Sequence, residues 1–119
     1  MSKINLMELV NELNSLIKEL RYKEALDRFY SEDVISVENE NPPTMGLNAY
    51  RESGQKYLAS ISNYSAHLKN VIVSDDMSAS EWHYKFLHKD WGNWDRVQIS
   101  LQRWKDGKIV HERHHYKTG

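Results

Sequence analysis

At Asn63 the apolar residues of this chain change their spacing from three or four to two, and that switch sets the class of fold available to it. Before it, Leu6, Leu9, Val10, Leu13, Leu16, Ile17 and Leu20 recur at helical steps with Glu, Asn and Lys between them, which predicts a helix with one broad apolar stripe. After a break at Arg21, Tyr22, Ala25, Leu26, Phe29 and Tyr30 form a second, shorter stripe that Ser31-Glu32-Asp33 ends. Residues 34–38, short and β-branched, read as an edge strand, and Pro42-Pro43 then forbids continuing either helix or ladder. Beyond Gly46 a third helix fits Leu47, Tyr50, Tyr57, Leu58 and Ile61, with Asn48 available as its cap. Gly54 inside it costs about 1 kcal/mol of helix propensity, which points to close packing or a kink.

After Asn63 four strands are expected, over residues 64–73, 78–88, 94–104 and 108–116. Asp75-Asp76, Asp90-Trp91-Gly92-Asn93 and Asp106-Gly107 separate them, the last being a two-residue hairpin signal. Helices first and an antiparallel meander after them mean α+β: a curved, cone-shaped antiparallel sheet wrapped around three N-terminal helices. Pairing Lys105 with Lys108 sets a regular register that puts Arg103 opposite Val110, Leu101 opposite Glu112 and Ile99 opposite His114. Val97, Ile99, Leu101, Val110 and Tyr116 then face the helices, carrying Arg103, Glu112 and His114 with them. Gln98, Ser100, Gln102, Trp104, His111, Arg113 and His115 face outward, a mixture that reads as a partner interface.

A chain of 119 residues is the size of one domain, here residues 1–119. Sixteen Lys and Arg against seventeen Asp and Glu leave a net charge of −1, too balanced to gather nucleic acid. With no cysteine, neither disulfides nor thiolate chemistry is available. The first residues lack a continuous apolar run, and no window approaches the roughly 20 apolar residues of a membrane span. A cytoplasmic protein that engages no membrane is the expectation.

The order helix–helix–strand–helix–four strands resembles the nuclear transport factor 2-like superfamily, which includes the ketosteroid isomerases and SnoaL-like cyclases. The resemblance rests on Ala25 through Glu38 (Ala-Leu-Asp-Arg-Phe-Tyr-Ser-Glu-Asp-Val-Ile-Ser-Val-Glu), Pro43-Thr44-Met45-Gly46-Leu47 and Asp106-Gly107-Lys108-Ile109-Val110-His111-Glu112-Arg113. It implies a pocket between sheet and helices and a homodimer formed through the outer sheet face. It also implies a carboxylate base at the end of the first strand, where an ungapped reading from Tyr30 places Glu38. The position of the isomerase's oxyanion tyrosine on helix one falls at Asn14. Its acidic partner on the penultimate strand has only Ile99 and Leu101 nearby.

On the residues themselves Glu38 is the first candidate. A carboxylate entering an aromatic-lined cone loses solvation and gains proton affinity, as a general base requires; the alternative is a solvated rim carboxylate. Glu112 and His114 lie two apart on one strand, about 7 Å from each other on the same side. Either Glu112 orients His114 for proton transfer, or it forms a buried ion pair with Arg103 on the next strand, the commoner arrangement. His83 is a second possible proton partner on a strand whose inward face the sequence leaves open. Trp82 and Tyr84 are expected as core or pocket wall, Tyr57 and Tyr50 at the mouth, and Ile99 with Arg103 in the lining. His111 and His115 stand about 13 Å apart while His114 points the other way, so no metal site is expected from this run, and no cofactor. The expectation is a homodimer binding a small, partly apolar molecule, with Glu38 as base and His114 or His83 as its partner in cofactor-free acid–base chemistry. A ligand-binding module without chemistry and a dimeric adaptor are the alternatives.

Overall fold

The structure, a computed structural model, describes residues 3–117. Helices α1 (Lys3–Lys18) and α2 (Tyr22–Phe29) come first, then strand β1 (Tyr30–Glu38), the two-residue β2 (Thr44–Met45) and helix α3 (Leu47–Ser60). Strands β3 (Ile61–Ser74), β4 (Met77–His88), β5 (Gly92–Lys105) and β6 (Lys108–Tyr116) follow. The six strands form one curved, unclosed sheet in the order β2-β1-β6-β5-β4-β3. It is mixed, because β1 runs parallel to β6 while the other pairs are antiparallel. Among the described residues no helix is long and apolar enough to cross a membrane.

The helical stripe of α1 buries Leu6, Val10, Leu13 and Leu16 against the sheet, each such side chain contributing about 1.5–3 kcal/mol. The helix ends where Leu20 turns left-handed (φ 61°) and the Arg21 N–H donates back to the Leu16 carbonyl at 2.8 Å. Ala25, Leu26 and Phe29 bury the inner face of α2. Tyr30, read from its spacing as helical, has extended dihedrals and opens β1 instead. Nor is β1 an edge strand: it lies between β2 and β6, and among the described strands the long free edge belongs to β3. Parallel pairing needs a long crossover that leaves no local turn signal, so sequence spacing could not reveal it.

The Asp106-Gly107 hairpin forms as expected, with both residues at positive φ (51° and 78°) and Lys105 opposite Lys108. One pair later the ladder shifts. Trp104 pairs with Ile109 but Arg103 pairs with His111, so Val110 is an extra residue in β6. Because side chains alternate with a period of two, this bulge reverses the face of every β5 residue beyond it relative to β6. The regular register is therefore corrected. Gln98, Ser100, Gln102 and Trp104 face the helices with Glu112 and His114, while Val97, Ile99 and Leu101 are 42%, 41% and 36% exposed on the outer face with Arg103.

Gly54 lies where α3 crosses the Tyr22 ring, and a Cβ there would stand 2.6 Å from Tyr22 Cε1. The ring is held by its hydroxyl, which bonds Tyr50, and by edge contact with the Tyr50 ring. Overpacking costs about 1–3 kcal/mol, more than the roughly 1 kcal/mol of helix propensity an alanine adds. Gly54→Ala is thus expected to lower the urea midpoint of unfolding; an equal or higher midpoint would show that the ring gives way freely.

Candidate functional site

A cavity of about 470 Å³ opens between the helices and the concave face of the sheet. Its floor is polar and is built by register. In the β1–β6–β5 ladders, Glu112 sits between Ser36 and Gln102, and His114 sits between Glu38 and Ser100. Glu112 is 1% exposed, yet both its oxygens are fully engaged. Oε2 accepts from the Tyr30 hydroxyl (2.5 Å) and from Gln102 Nε2 (2.6 Å). Oε1 accepts from the Tyr50 hydroxyl and lies 3.1 Å from His114 Nε2. On the other side of the ring, His114 Nδ1 meets Ser100 Oγ at 2.9 Å and Gln98 Nε2 at 3.2 Å.

Burial works against both charges of this pair, but the pairing outweighs it. The charge of His114, then the hydrogen bonds from His114, Tyr30 and Tyr50, hold the Glu112 carboxyl below its ordinary range. The Glu112 carboxylate, with a smaller push from Glu38, holds the His114 imidazole above its ordinary value. Burial and then the charge of Glu112 push Tyr30 and Tyr50 upward, so both remain O–H donors. Either protonation state of His114 finds partners, because the Ser100 hydroxyl can donate or accept and an amide can present either end.

Glu38 lines the mouth of the cavity at the end of β1, where its side chain stays exposed. It bonds the hydroxyl of Tyr116, whose pKa is pushed up to about 12 by burial first and by the Glu38 charge second. The outer walls are aromatic. Tyr57 meets Phe86 edge-on at 5.4 Å, Phe86 stacks on Trp94 at 5.5 Å, and Trp82 stacks on Tyr84 at 5.5 Å. At the β4–β5 turn the exposed Trp91 stacks on His88, whose Nδ1 accepts from the Asp90 and Trp91 N–H groups.

The cavity thus brings together Glu38, Glu112, His114, Tyr57, Trp82 and Tyr84. It does not bring in the other three expected residues. His83 is on the outer face, because the inward residues of β4 are Ser78, Ser80, Trp82, Tyr84, Phe86 and His88; there its Nε2 contacts Asp95 at 2.5 Å. Arg103 and Ile99 were turned outward by the bulge, so Arg103 reaches Met77 and Glu112 takes His114 as its ionic partner instead. Tyr30 went unrecognised because its spacing put it in the second helix, and Gln98, Ser100 and Gln102 because the regular register put them on the outer face, read as a partner interface. Among the described residues no three His, Asp or Glu side chains converge as a metal site requires.

His114 and Glu112 make stability depend on pH at both ends. The contribution of His114 is complete below its ordinary value of 6.5 and is lost as pH rises through its raised native pKa. That of Glu112 is complete above 4.5 and is lost as pH falls through its depressed native pKa. NMR titration of the His114 ring is expected to give a midpoint well above 6.5, falling in Glu112→Gln. Glu112→Ala, which strands the imidazolium, is expected to cost about 3–5 kcal/mol in urea unfolding. A His114 midpoint unmoved by Glu112→Gln would dissolve the ion pair.

The SnoaL-like domain profile matches residues 18–112. Among solved structures, a proposed SnoaL-like polyketide cyclase from Mesorhizobium loti superposes with a TM-score of 0.85 at 22% identity, covering 98% of this chain and 100% of that one. A proposed polyketide cyclase from Xanthomonas campestris gives 0.79 at 18% identity over 97% and 92% of the two chains. A protein of ketosteroid isomerase-like fold from Catenulispora acidiphila gives 0.68 at 17% identity over 78% and 73%. At these identities the likeness is one of fold. A search of curated protein sequences returns no significant match.

Proposed function

The chain belongs to the SnoaL-like domain family, and from that premise we propose that it is a cofactor-free acid–base enzyme of isomerase, cyclase or dehydratase type, acting on a small, partly apolar molecule held in the cone. The observation that carries this reading is the side-by-side placement of Glu38 and His114, register partners on β1 and β6, at one cavity. An exposed carboxylate at the mouth takes a proton from the bound molecule. The neighbouring imidazolium, locked by Glu112 and Ser100, supplies the positive charge that favours the anion so formed. The aromatic walls contribute apolar contact to the body of the bound molecule.

A general test needs no natural substrate. 2-Tetralone carries acidic C–H bonds beside its carbonyl, and their exchange in D2O is read by proton NMR. The protein is expected to accelerate exchange above buffer, and Glu38→Gln to lose about 10²–10⁴-fold of that acceleration. Wild-type protein that binds the ketone without exchanging its protons would remove the enzymatic reading. One observation favours that second reading, a binding module without chemistry: each ring nitrogen of His114 and each oxygen of Glu112 already has a protein partner.

The proposal extends to a homodimer through the outer sheet face, supported by the adjacent exposed side chains of Val97, Ile99 and Leu101. Light scattering coupled to size exclusion is expected to give twice the 14.1 kDa chain mass, and Ile99→Lys to return the monomer. A wild-type monomer at micromolar concentration would remove the dimer.

A further inference from the structure

The fold satisfies the polar ends of most of its core aromatics. Tyr30 and Tyr50 donate to Glu112, the Tyr64 hydroxyl to the Ile17 carbonyl (2.8 Å), and the Trp104 indole N–H to Ser78 Oγ (2.9 Å). Among the buried aromatics that face the cavity, two break this pattern. Trp82 is 2% exposed and Tyr84 is 9% exposed, yet among the described residues neither the Trp82 indole N–H nor the Tyr84 hydroxyl has a hydrogen-bond partner. Neither atom counts among the wholly occluded orphans, which are Trp94 Nε1 and Arg113 Nε, so both retain contact with open space. They are successive inward residues of β4, their rings stacked at 5.5 Å and 19°.

We infer that the Trp82 N–H and the Tyr84 O–H form a two-donor subsite for a neutral acceptor oxygen, the carbonyl or enol oxygen of the bound molecule. An indole N–H can only donate, so the atom it meets must accept. Both donors face open space and are left to water, so a ligand acceptor that takes the water's place gains their hydrogen bonds in a largely apolar setting. The charges lining the cavity favour a neutral molecule over a carboxylate: Glu38, Asp90 and Glu112 against Lys56 and protonated His114 leave an excess of one negative charge. The class of ligand is therefore a small neutral molecule that presents an accepting oxygen to this wall. The subsite rests on the reading of the cavity as a ligand site and adds the position of the ligand's oxygen.

The test compares 2-tetralone with tetralin, the same skeleton without the oxygen, by equilibrium dialysis on the full chain. Tyr84→Phe and Trp82→Phe are each expected to weaken 2-tetralone about tenfold and to leave tetralin unchanged. The carbonyl stretch of bound, carbonyl-labelled 2-tetralone is expected at lower frequency in the wild type than in either variant, a signature that packing alone would not move. Tyr84→Phe removes a single oxygen and carries the test if Trp82→Phe fails to fold. Variants that weaken both compounds equally, or that leave the ketone's affinity and stretch unchanged, overturn the subsite while the cavity stands. If wild-type protein binds neither compound, the cavity reading falls and takes the subsite with it.

Discussion

A carboxylate that is 1% exposed needs partners for all its lone pairs, and Glu112 draws them from four separate elements. Tyr30 opens β1, Tyr50 stands on α3, Gln102 lies on β5, and His114 shares β6 with the carboxylate itself. None of these is near it in sequence except His114. The network therefore forms only when the parallel β1–β6 pair, the β5–β6 hairpin and the docking of α3 are all in place. Burying the charge is costly in itself, and replacing such a pair by well-packed apolar groups is often neutral for stability. What the pair supplies is definition. A fully satisfied network in a low-dielectric interior admits few alternatives, which fixes the ring plane of His114 beside Glu38.

The elements themselves were legible to a large extent. The periodicity of α1 and α3, the four long strands and the Asp-Gly turn each rest on local rules that tertiary structure had no reason to override. The placement of β1 was not legible, because its partners lie in β2 and in β6, with most of the chain between β1 and β6. Nor was the inward face of β5. A polar–apolar alternation tells which residues share a side but not which side is buried. The ordinary assumption that Val97, Ile99 and Leu101 face the core assigned it backwards. Hydrophobic patterning fails at the stretch that lines the cavity, where polar residues are buried in contact with one another.

The buried polar groups fall into two kinds, and the difference between them organises the cavity. Those of the floor, Glu112, His114, Gln102 and Ser100, are bonded to each other and leave little for a visiting molecule. Those of the β4 wall, Trp82 and Tyr84, are bonded to nothing among the described residues and sit on an apolar stack. On the proposed function a floor saturated in this way acts by field and position, through the charge of His114, and the unsaturated wall by contact. Glu38 belongs to neither: it stays exposed at the end of its strand, bonded to the Tyr116 hydroxyl.

The extra residue at Val110 decides which of two interiors the same sequence would have. In a regular ladder Ile99 and Leu101 would project into the cone and fill it, with Arg103 beside them. Gln102 and Ser100 would then lie in solvent, leaving Glu112 and His114 without the neighbours that now hold them. The bulge exchanges these sets, moving three large aliphatic side chains to the outer face and bringing Gln98, Ser100 and Gln102 inside. Trp104 turns inward in the same step and closes the base of the cone against Phe29, with its indole N–H on Ser78. An open cavity with a polar floor and an outer face with exposed aliphatic residues are therefore two consequences of one irregularity in the ladder.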